Sequence, residues 1–227
     1  MTWALRMTWI DLAFLHWQVP RDVFVGKIPV GLELDTYNDT AWLGVTPFRM
    51  TGVRPIFTPP IPTASDFPEL NVRTYVRYKD VAGVFFFSLD AASKLAVKAA
   101  RTATGLPYFH ARMHERRDRD EVHYTSVRSR GPKAEFRGRY RPTGLVDKAR
   151  LGSLDHWLTE RYSLFVERDA TLIRLDIEHE QWPLQPASTD IEVNTMAEAA
   201  GISLPAEKPY VLFSRQIDVV AHWPVSA

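Results

Sequence analysis

Glu69, Asn71, Arg73 and Tyr75 are spaced two apart, and together they could act on a small molecule. Alternate side chains of an extended chain share one face, so a carboxylate and a guanidinium would flank Asn71, while Val72, Thr74, Val76 and Tyr78 take the other face. A strand with one apolar face turns its second face to water or to a cavity. Facing a cavity, this set would orient a polar ligand; facing water, it would be an edge with a surface ion pair. Periodicity leaves both readings open. His110 and His114, four apart, with His123 nearby, have the residue type for a three-imidazole metal site. Arg112, Arg116 and Arg117 would repel a cation there, so partly exposed histidines and no metal are the expectation.

Residues 101–150 carry 13 Lys+Arg against 6 Asp+Glu, a local excess of +7 in a chain whose net charge is +1. That asymmetry is the one argument for nucleic acid. Glu115, Asp118, Asp120 and Glu121 interrupt it, and Tyr124, Phe136 and Tyr140 form no recognised stacking motif. A solvated, charge-laced hairpin is expected instead, with nucleic-acid binding kept as the lesser alternative. Cysteine is absent, which excludes disulfides, a thiol nucleophile and thiolate metal sites. The glycine-rich dinucleotide and P-loop fingerprints, the His-Glu-x-x-His motif and the Gly-x-Ser-x-Gly elbow do not occur. No cofactor is expected.

The elements that must hold these residues read mainly as strands. Segments 31–37 and 41–48 flank Asn38-Asp-Thr40 as a hairpin. Five prolines within 51–68 suggest a long surface loop. The alternation of 69–78 and the apolar run 84–89 predict two further strands. Asp90 would cap a helix over 91–102, with Leu95, Ala96, Ala99 and Ala100 inward and Lys94, Lys98 and Arg101 on another side. Strands follow near 108–113, 122–128, 133–140, 165–167, 172–179 and 211–220. A helix is expected over 153–162, and a short one over 195–200 is stopped by Gly201. Strands without regular strand–helix alternation predict a mainly antiparallel α+β fold, and 227 residues with no linker or repeat predict a single domain, 1–227. The apolar N-terminus is broken by Arg6 and Asp11, and the longest apolar stretch, 81–89, is too short for a bilayer. The expected location is cytoplasmic, with no membrane partner and a homo-oligomer as an option.

Phe67-Pro-Glu-Leu-Asn-Val-Arg-Thr-Tyr-Val76, Gly83-Val-Phe-Phe-Phe-Ser-Leu-Asp-Ala91 and Ala100-Arg-x3-Gly-Leu-Pro-Tyr-Phe-His-Ala111 resemble the YqjF-like family of unknown function. Ile28-Pro-Val-Gly-Leu32, Leu158-Thr-Glu-Arg-Tyr162 and Trp182-Pro-Leu184 extend the resemblance over nearly the whole chain. That family looks like a branch of the acetoacetate decarboxylase-like superfamily, which implies a β-barrel-like sheet around a central cavity with a few outer helices. The parent enzymes have a glutamate in an aromatic-x-Glu context, and Glu69 in Phe67-Pro-Glu69 is similar. Arg101 takes the place of an arginine in the helix before their Pro-Lys-Lys motif, and Leu106-Pro-Tyr-Phe109 takes the place of that motif.

The two motif lysines form the Schiff base and depress its pKa. Tyr108 and Phe109 cannot form an imine, and Lys94 and Lys98 read as the polar side of their helix, so decarboxylation through an imine is not expected. The resemblance implies a small-molecule-binding protein whose ligand is a polar carbonyl or carboxylate compound. Glu69, Arg73, Arg101, Tyr108 and His110 are the candidate lining residues, with Arg101 and Glu69 beside one cavity. A buried arginine would grip an anionic group and Tyr108 would donate to a carbonyl. The alternative is a non-imine lyase or related enzyme with Glu69 as general acid/base, its pKa raised by burial towards roughly 7.

Overall fold

A computed structural model describes residues 3–60 and 64–227. The chain begins with β1 (Trp3–Val19), then a short β2 (Glu33–Leu34), β3 (Ala41–Pro55), β4 (Phe67–Tyr78) and β5 (Val81–Ala91). Helix α1 (Lys94–Thr104) precedes β6 (Tyr108–Asp118), β7 (Glu121–Arg128), β8 (Glu135–Pro142) and β9 (Asp147–Lys148). Helix α2 (Leu154–Thr159) leads into β10 (Ser163–Arg168), β11 (Thr171–Glu178) and β12 (Pro183–Asn194). The chain closes with β13 (Tyr210–His222) and β14 (Val225–Ser226). The expected α+β fold with a mainly antiparallel, ring-like sheet is what forms.

The sheet closes on itself twice. Strands β13, β1, β3, β4 and β5 are common to both closures. One circuit continues from β5 through β10 and β11 back to β13. The other continues from β5 through β6, β7, β8 and β12 back to β13. The pairings of β5 with β10 and with β6 are parallel, and both need crossovers, which carry α1 and α2 over the sheet. Gly83 lets β10 approach β5, because a Cβ there would stand 2.5 Å from the Ser163 carbonyl oxygen.

Strands shared by two closures are buried on both faces. On β1, Leu12 and Phe14 join one core while Ala13 and Leu15 join the other. On β4, Leu70 and Val72 enter the second core, and the opposite residues face the first. The second circuit is filled: Tyr124, Phe136, Tyr140 and Phe213 are each 0–1% exposed within it.

Several expectations are corrected. β1 is the longest strand, yet the N-terminal segment shows no strand pattern. Asp11 takes a positive φ of 50°, the β1–β3 register slips between Ile10 and Leu15, and residues 11–17 are all buried, so alternation is lost. The turn at Asn38 and Asp39 forms with φ of 48° and 61° and closes one antiparallel bridge, Tyr37 to Thr40, but the expected hairpin does not extend beyond it. β3 is paired with β1 on one side and β4 on the other, so β2 pairs with β4 instead. The proline-rich loop is shorter than expected, since Arg54 and Pro55 still pair with β1 and Phe67 already opens β4; Pro62 within it lies outside the described residues. The cap of α1 is Ser93, whose Oγ accepts from the Ala96 amide at 3.2 Å. Asp90 instead belongs to β5 and accepts a bidentate, fully buried contact from Arg128, the shortest distance 2.7 Å. The helix expected over 195–200 is a single 3-10 turn, Glu198–Ala200. Among the described residues no helix is long and apolar enough to cross a membrane.

Candidate functional site

The first circuit is hollow. It encloses a cavity of about 350 Å³, within the size range of small-molecule sites. Phe14, Phe48, Phe67, Phe86, Leu89 and Trp182 give it apolar walls. On the α1 side the wall is Leu95, Ala96, Ala99, Ala100 and Ala103; Leu95 is 54% exposed, so the cavity reaches the surface beside this helix.

Strand alternation aims Glu69, Asn71 and Arg73 of β4 into this space. A bulge in β5 adds to the wall: Val72 pairs with Ser88 but Arg73 pairs with Phe86, so Phe87 is skipped. Phe86 and Leu89 therefore share the cavity face, although they are three apart. Tyr108 arrives because Gly105, at φ 76°, ends α1 in a left-handed turn and Leu106-Pro107 starts β6 directly afterwards.

Glu69 is 2% exposed. Its Oε1 accepts from the Tyr108 hydroxyl at 3.4 Å, and its Oε2 has no partner. Burial pushes its pKa from the usual carboxylate range to about 8; hydrogen bonds from Asn71 and Tyr108 hold it back, and the Asp90 charge adds to the rise. At neutral pH Glu69 is a carboxylic acid, and the unpartnered oxygen can carry a proton to donate. Tyr108 stays a phenol, since burial and then the neighbouring Glu69 push its pKa well up.

Arg73 stands at the other end of this row. Its Nη2 donates to the Leu158 carbonyl at 3.4 Å, its Nε has no partner, and its guanidinium lies 5.4 Å from the Phe14 ring and 5.8 Å from the Tyr75 ring. Among the described residues no carboxylate is within ion-pair distance of it. Arg161, also lining the cavity, is by contrast paired with Asp35 at 2.6 Å. His16 sits behind Arg73, its Nε2 2.6 Å from the Tyr75 hydroxyl. Burial, and then the Arg73 charge, hold His16 well below its ordinary pKa, so it is neutral.

The structure thus brings Glu69, Arg73 and Tyr108 to one cavity, but not Arg101 or His110. Arg101 is exposed: α1 packs on the sheet through Val97 and borders the cavity with Leu95, Ala96, Ala99, Ala100 and Ala103, of which Leu95, Ala99 and Ala103 are exposed at its mouth. Arg101 lies with the exposed Lys94 and Lys98 outside that lining. His110 follows Tyr108 by two residues but outside the lining; partial burial and then the Lys94 charge lower its pKa. No lysine among the described residues lines the cavity. Among the described residues no group of three His, Asp or Glu side chains is placed to hold a metal.

The basic stretch spreads over β6 to β8, where Arg139 meets Asp190 at 2.8 Å and Arg137 meets Glu192 at 3.0 Å. Its aromatics Tyr124, Phe136 and Tyr140 face the filled core and are closed to stacking. Sequence reasoning missed Trp9, Phe14, Arg161 and Trp182, which reach the cavity from β1 and from the segments flanking β10 to β12. None has a local signal, because only the double closure brings them together.

The architecture is that of the acetoacetate decarboxylase-like fold. It is similar to an enduracididine biosynthesis enzyme, MppR, complexed with pyruvate (TM-score 0.69, 9% identity, covering 100% of this chain and 91% of that one). It is also similar to an acetoacetate decarboxylase from Legionella pneumophila (TM-score 0.68, 15% identity, 99% and 87% covered) and to an acetoacetate decarboxylase-like enzyme from Sphingomonas wittichii RW1 (TM-score 0.66, 13% identity, 100% and 94% covered). Residues 6–218 match the DUF2071 family of uncharacterised conserved proteins, and the chain belongs to that family. It is 44% identical over 223 residues to the uncharacterised protein YqjF of Bacillus subtilis (strain 168), covering 98% of this chain and 92% of that protein.

Proposed function

We propose that this protein binds a small carbonyl or carboxylate compound in the hollow circuit, with Glu69 and Tyr108 as paired donors and without imine chemistry. The carrying observation is the buried Glu69, one carboxyl oxygen unpartnered and the other bonded to Tyr108, in an apolar cavity that no lysine among the described residues lines. A polar group buried without a partner costs free energy that a ligand oxygen would recover. The structural neighbour complexed with pyruvate, which is both a carbonyl and a carboxylate compound, is consistent with this class. The test is a thermal-shift and tryptophan-fluorescence screen of oxo acids, ketones and carboxylates, with Glu69→Gln and Tyr108→Phe beside the parent. The expected result is ligand-dependent stabilisation that weakens in both variants; stabilisation equal in all three proteins would remove Glu69 and Tyr108 from the site.

A second reading makes Glu69 a general acid/base in a non-imine reaction. It is favoured by a carboxyl that titrates at about 8, within reach of working pH. A ligand found in the screen and turned over, with activity falling on either side of a Glu69-dependent limb, would establish it. Binding without turnover over that pH range leaves the binding role.

A further inference from the structure

The two chemistries of the cavity lie at opposite ends, and that separation constrains the ligand. Glu69 and Arg73 are four positions apart on β4, which is ~13 Å along a strand. The Arg73 guanidinium leans further away, towards the Tyr75 ring and the Leu158 carbonyl. The groups acting on Glu69 are Asn71, Tyr108 and Asp90, whereas the charge of Arg73 falls on His16, Tyr75 and His179. The wall around Arg73 is aromatic: Phe14 stands 4.9 Å from Trp182, which stacks on Trp9 at 5.9 Å. The indole nitrogens of Trp9 and Trp182 and the Nε of Arg73 are buried donors without partners. Arg161 brings a second guanidinium to the Tyr75 ring, held by Asp35 at 2.6 Å, a carboxylate that also stands 3.8 Å from Arg77; Arg73 is the lining guanidinium with no carboxylate within ion-pair distance among the described residues.

Resting on the proposed binding role, we propose that the ligand is an elongated, largely hydrocarbon carboxylate. Its carboxylate is held by Arg73 at one end of the cavity, its hydrocarbon body lies along the aromatic wall, and any carbonyl or hydroxyl it carries sits at Glu69 and Tyr108. A short oxo acid, with carboxylate and carbonyl one or two bonds apart, cannot reach both ends. The reacting or recognised oxygen is therefore remote from the carboxylate. Arg73 offers a planar fork suited to a carboxylate, and hydrocarbon contact supplies the rest of the affinity.

The test is calorimetric titration of the full chain with acetate, butanoate, hexanoate, octanoate, 1-octanol and pyruvate, repeated with Arg73→Met and Arg73→Lys. The parent is expected to bind octanoate at least tenfold more tightly than 1-octanol, with about fourfold gained per methylene along the carboxylate series. Arg73→Met should lose the preference for octanoate while keeping 1-octanol within about twofold, and Arg73→Lys should retain part of it. Equal binding of octanoate and 1-octanol by the parent overturns the head-group assignment, as does an undiminished preference in Arg73→Met. If Arg73→Met does not fold, the parent comparison decides alone. Tight pyruvate binding without octanoate binding overturns the elongated class and leaves the proposed binding role intact. If neither these probes nor the wider screen binds, both fall.

Discussion

The two circuits share five strands and differ in how they treat polar groups. In the filled circuit the large side chains pack on one another and the tyrosine hydroxyls it buries are satisfied by backbone, although the small Ser126 hydroxyl on the same face of β7 is not. Tyr124 donates within reach of the Glu69 and Phe48 carbonyls, at 2.7 and 3.1 Å, and Tyr140 donates to the Asp11 carbonyl at 2.9 Å. These carbonyls lie where β1, β3 and β4 pass between the two interiors, so the tyrosines tie the filled side to the wall of the hollow one. In the hollow circuit Glu69, Asn71, Arg73 and two indoles keep buried polar atoms without partners. Buried polar groups in proteins are ordinarily hydrogen-bonded. An ionisable row with unpartnered atoms facing an open volume, and not unpartnered atoms alone, separates the binding site from the core within one sheet.

The comparison breaks first on stability. Phe136→Ala, in the filled interior, should cost about 3–5 kcal/mol in a denaturant titration, the usual loss for a buried aromatic. Removing Arg128, which would leave Asp90 charged and buried, should cost a similar ~3–5 kcal/mol. Phe86→Ala only enlarges an existing cavity with an outlet and should cost clearly less than Phe136→Ala. Equal losses for the two phenylalanines would deny the distinction between the circuits.

Glu69 sharpens it through pH. Its folded pKa of about 8 lies above the ordinary carboxylate value of 4.5. Below pH 4.5 both folded and unfolded states hold the proton, and no stability depends on it. Between about 4.5 and 8 the unfolded state gives up its proton while the folded state keeps it, so stability falls as pH rises; above 8 the loss is complete, at roughly 5 kcal/mol. Glu69→Gln removes this dependence. The variant should match the parent near pH 4 and exceed it increasingly towards pH 8 in parallel unfolding curves. Curves that stay parallel over that window would mean Glu69 is ionised in the fold.

A pair of tyrosines gives a smaller contrast. Tyr124→Phe strips two buried carbonyls of a donor and should cost about 1–3 kcal/mol. Tyr108→Phe loses only a long bond and should cost less, but it should raise the Glu69 pKa further, since that hydrogen bond favours the ionised acid. Titration of Glu69 by infrared carbonyl absorption reads this directly.

Much of this was legible in the sequence wherever one strand carried the signal. The alternation of Glu69, Asn71 and Arg73 against Val72 and Thr74 is local, and it separated the two faces while leaving open whether the polar one met water or a cavity. It did not show that Val72 enters a second interior, because alternation cannot say what lies behind either face. β1 was invisible for the same reason carried further, with both faces buried and a bulge at Asp11 breaking the period. Arg73 was named as a candidate, but no local pattern shows that Arg161 beside it has a carboxylate partner, Asp35, 126 residues away in sequence, while Arg73 has none among the described residues. Arg101 was placed beside the cavity by the resemblance, whereas helical periodicity had set it with Lys94 and Lys98 on another side, which is where the structure has it.

That misplacement yields the smallest expected effect. If Arg101 framed the site, Arg101→Ala would remove a cation beside Glu69, and the Glu69 pKa would rise. The structure puts Arg101 on the solvent side of α1, and the groups that set the Glu69 pKa are Asn71, Tyr108 and Asp90. Arg101→Ala should therefore leave the Glu69 titration, the unfolding midpoint and octanoate affinity unchanged, while Arg73→Met changes the last of these. Lys94 and Lys98 share that solvent face, so borohydride reduction with acetoacetate should leave neither carrying an adduct. A shifted Glu69 titration in Arg101→Ala, or a lysine adduct seen by mass spectrometry that Glu69→Gln abolishes, would mean that α1 brings its basic side to the cavity. The hollow circuit would then be a site completed by its helix, and no longer one built by the sheet.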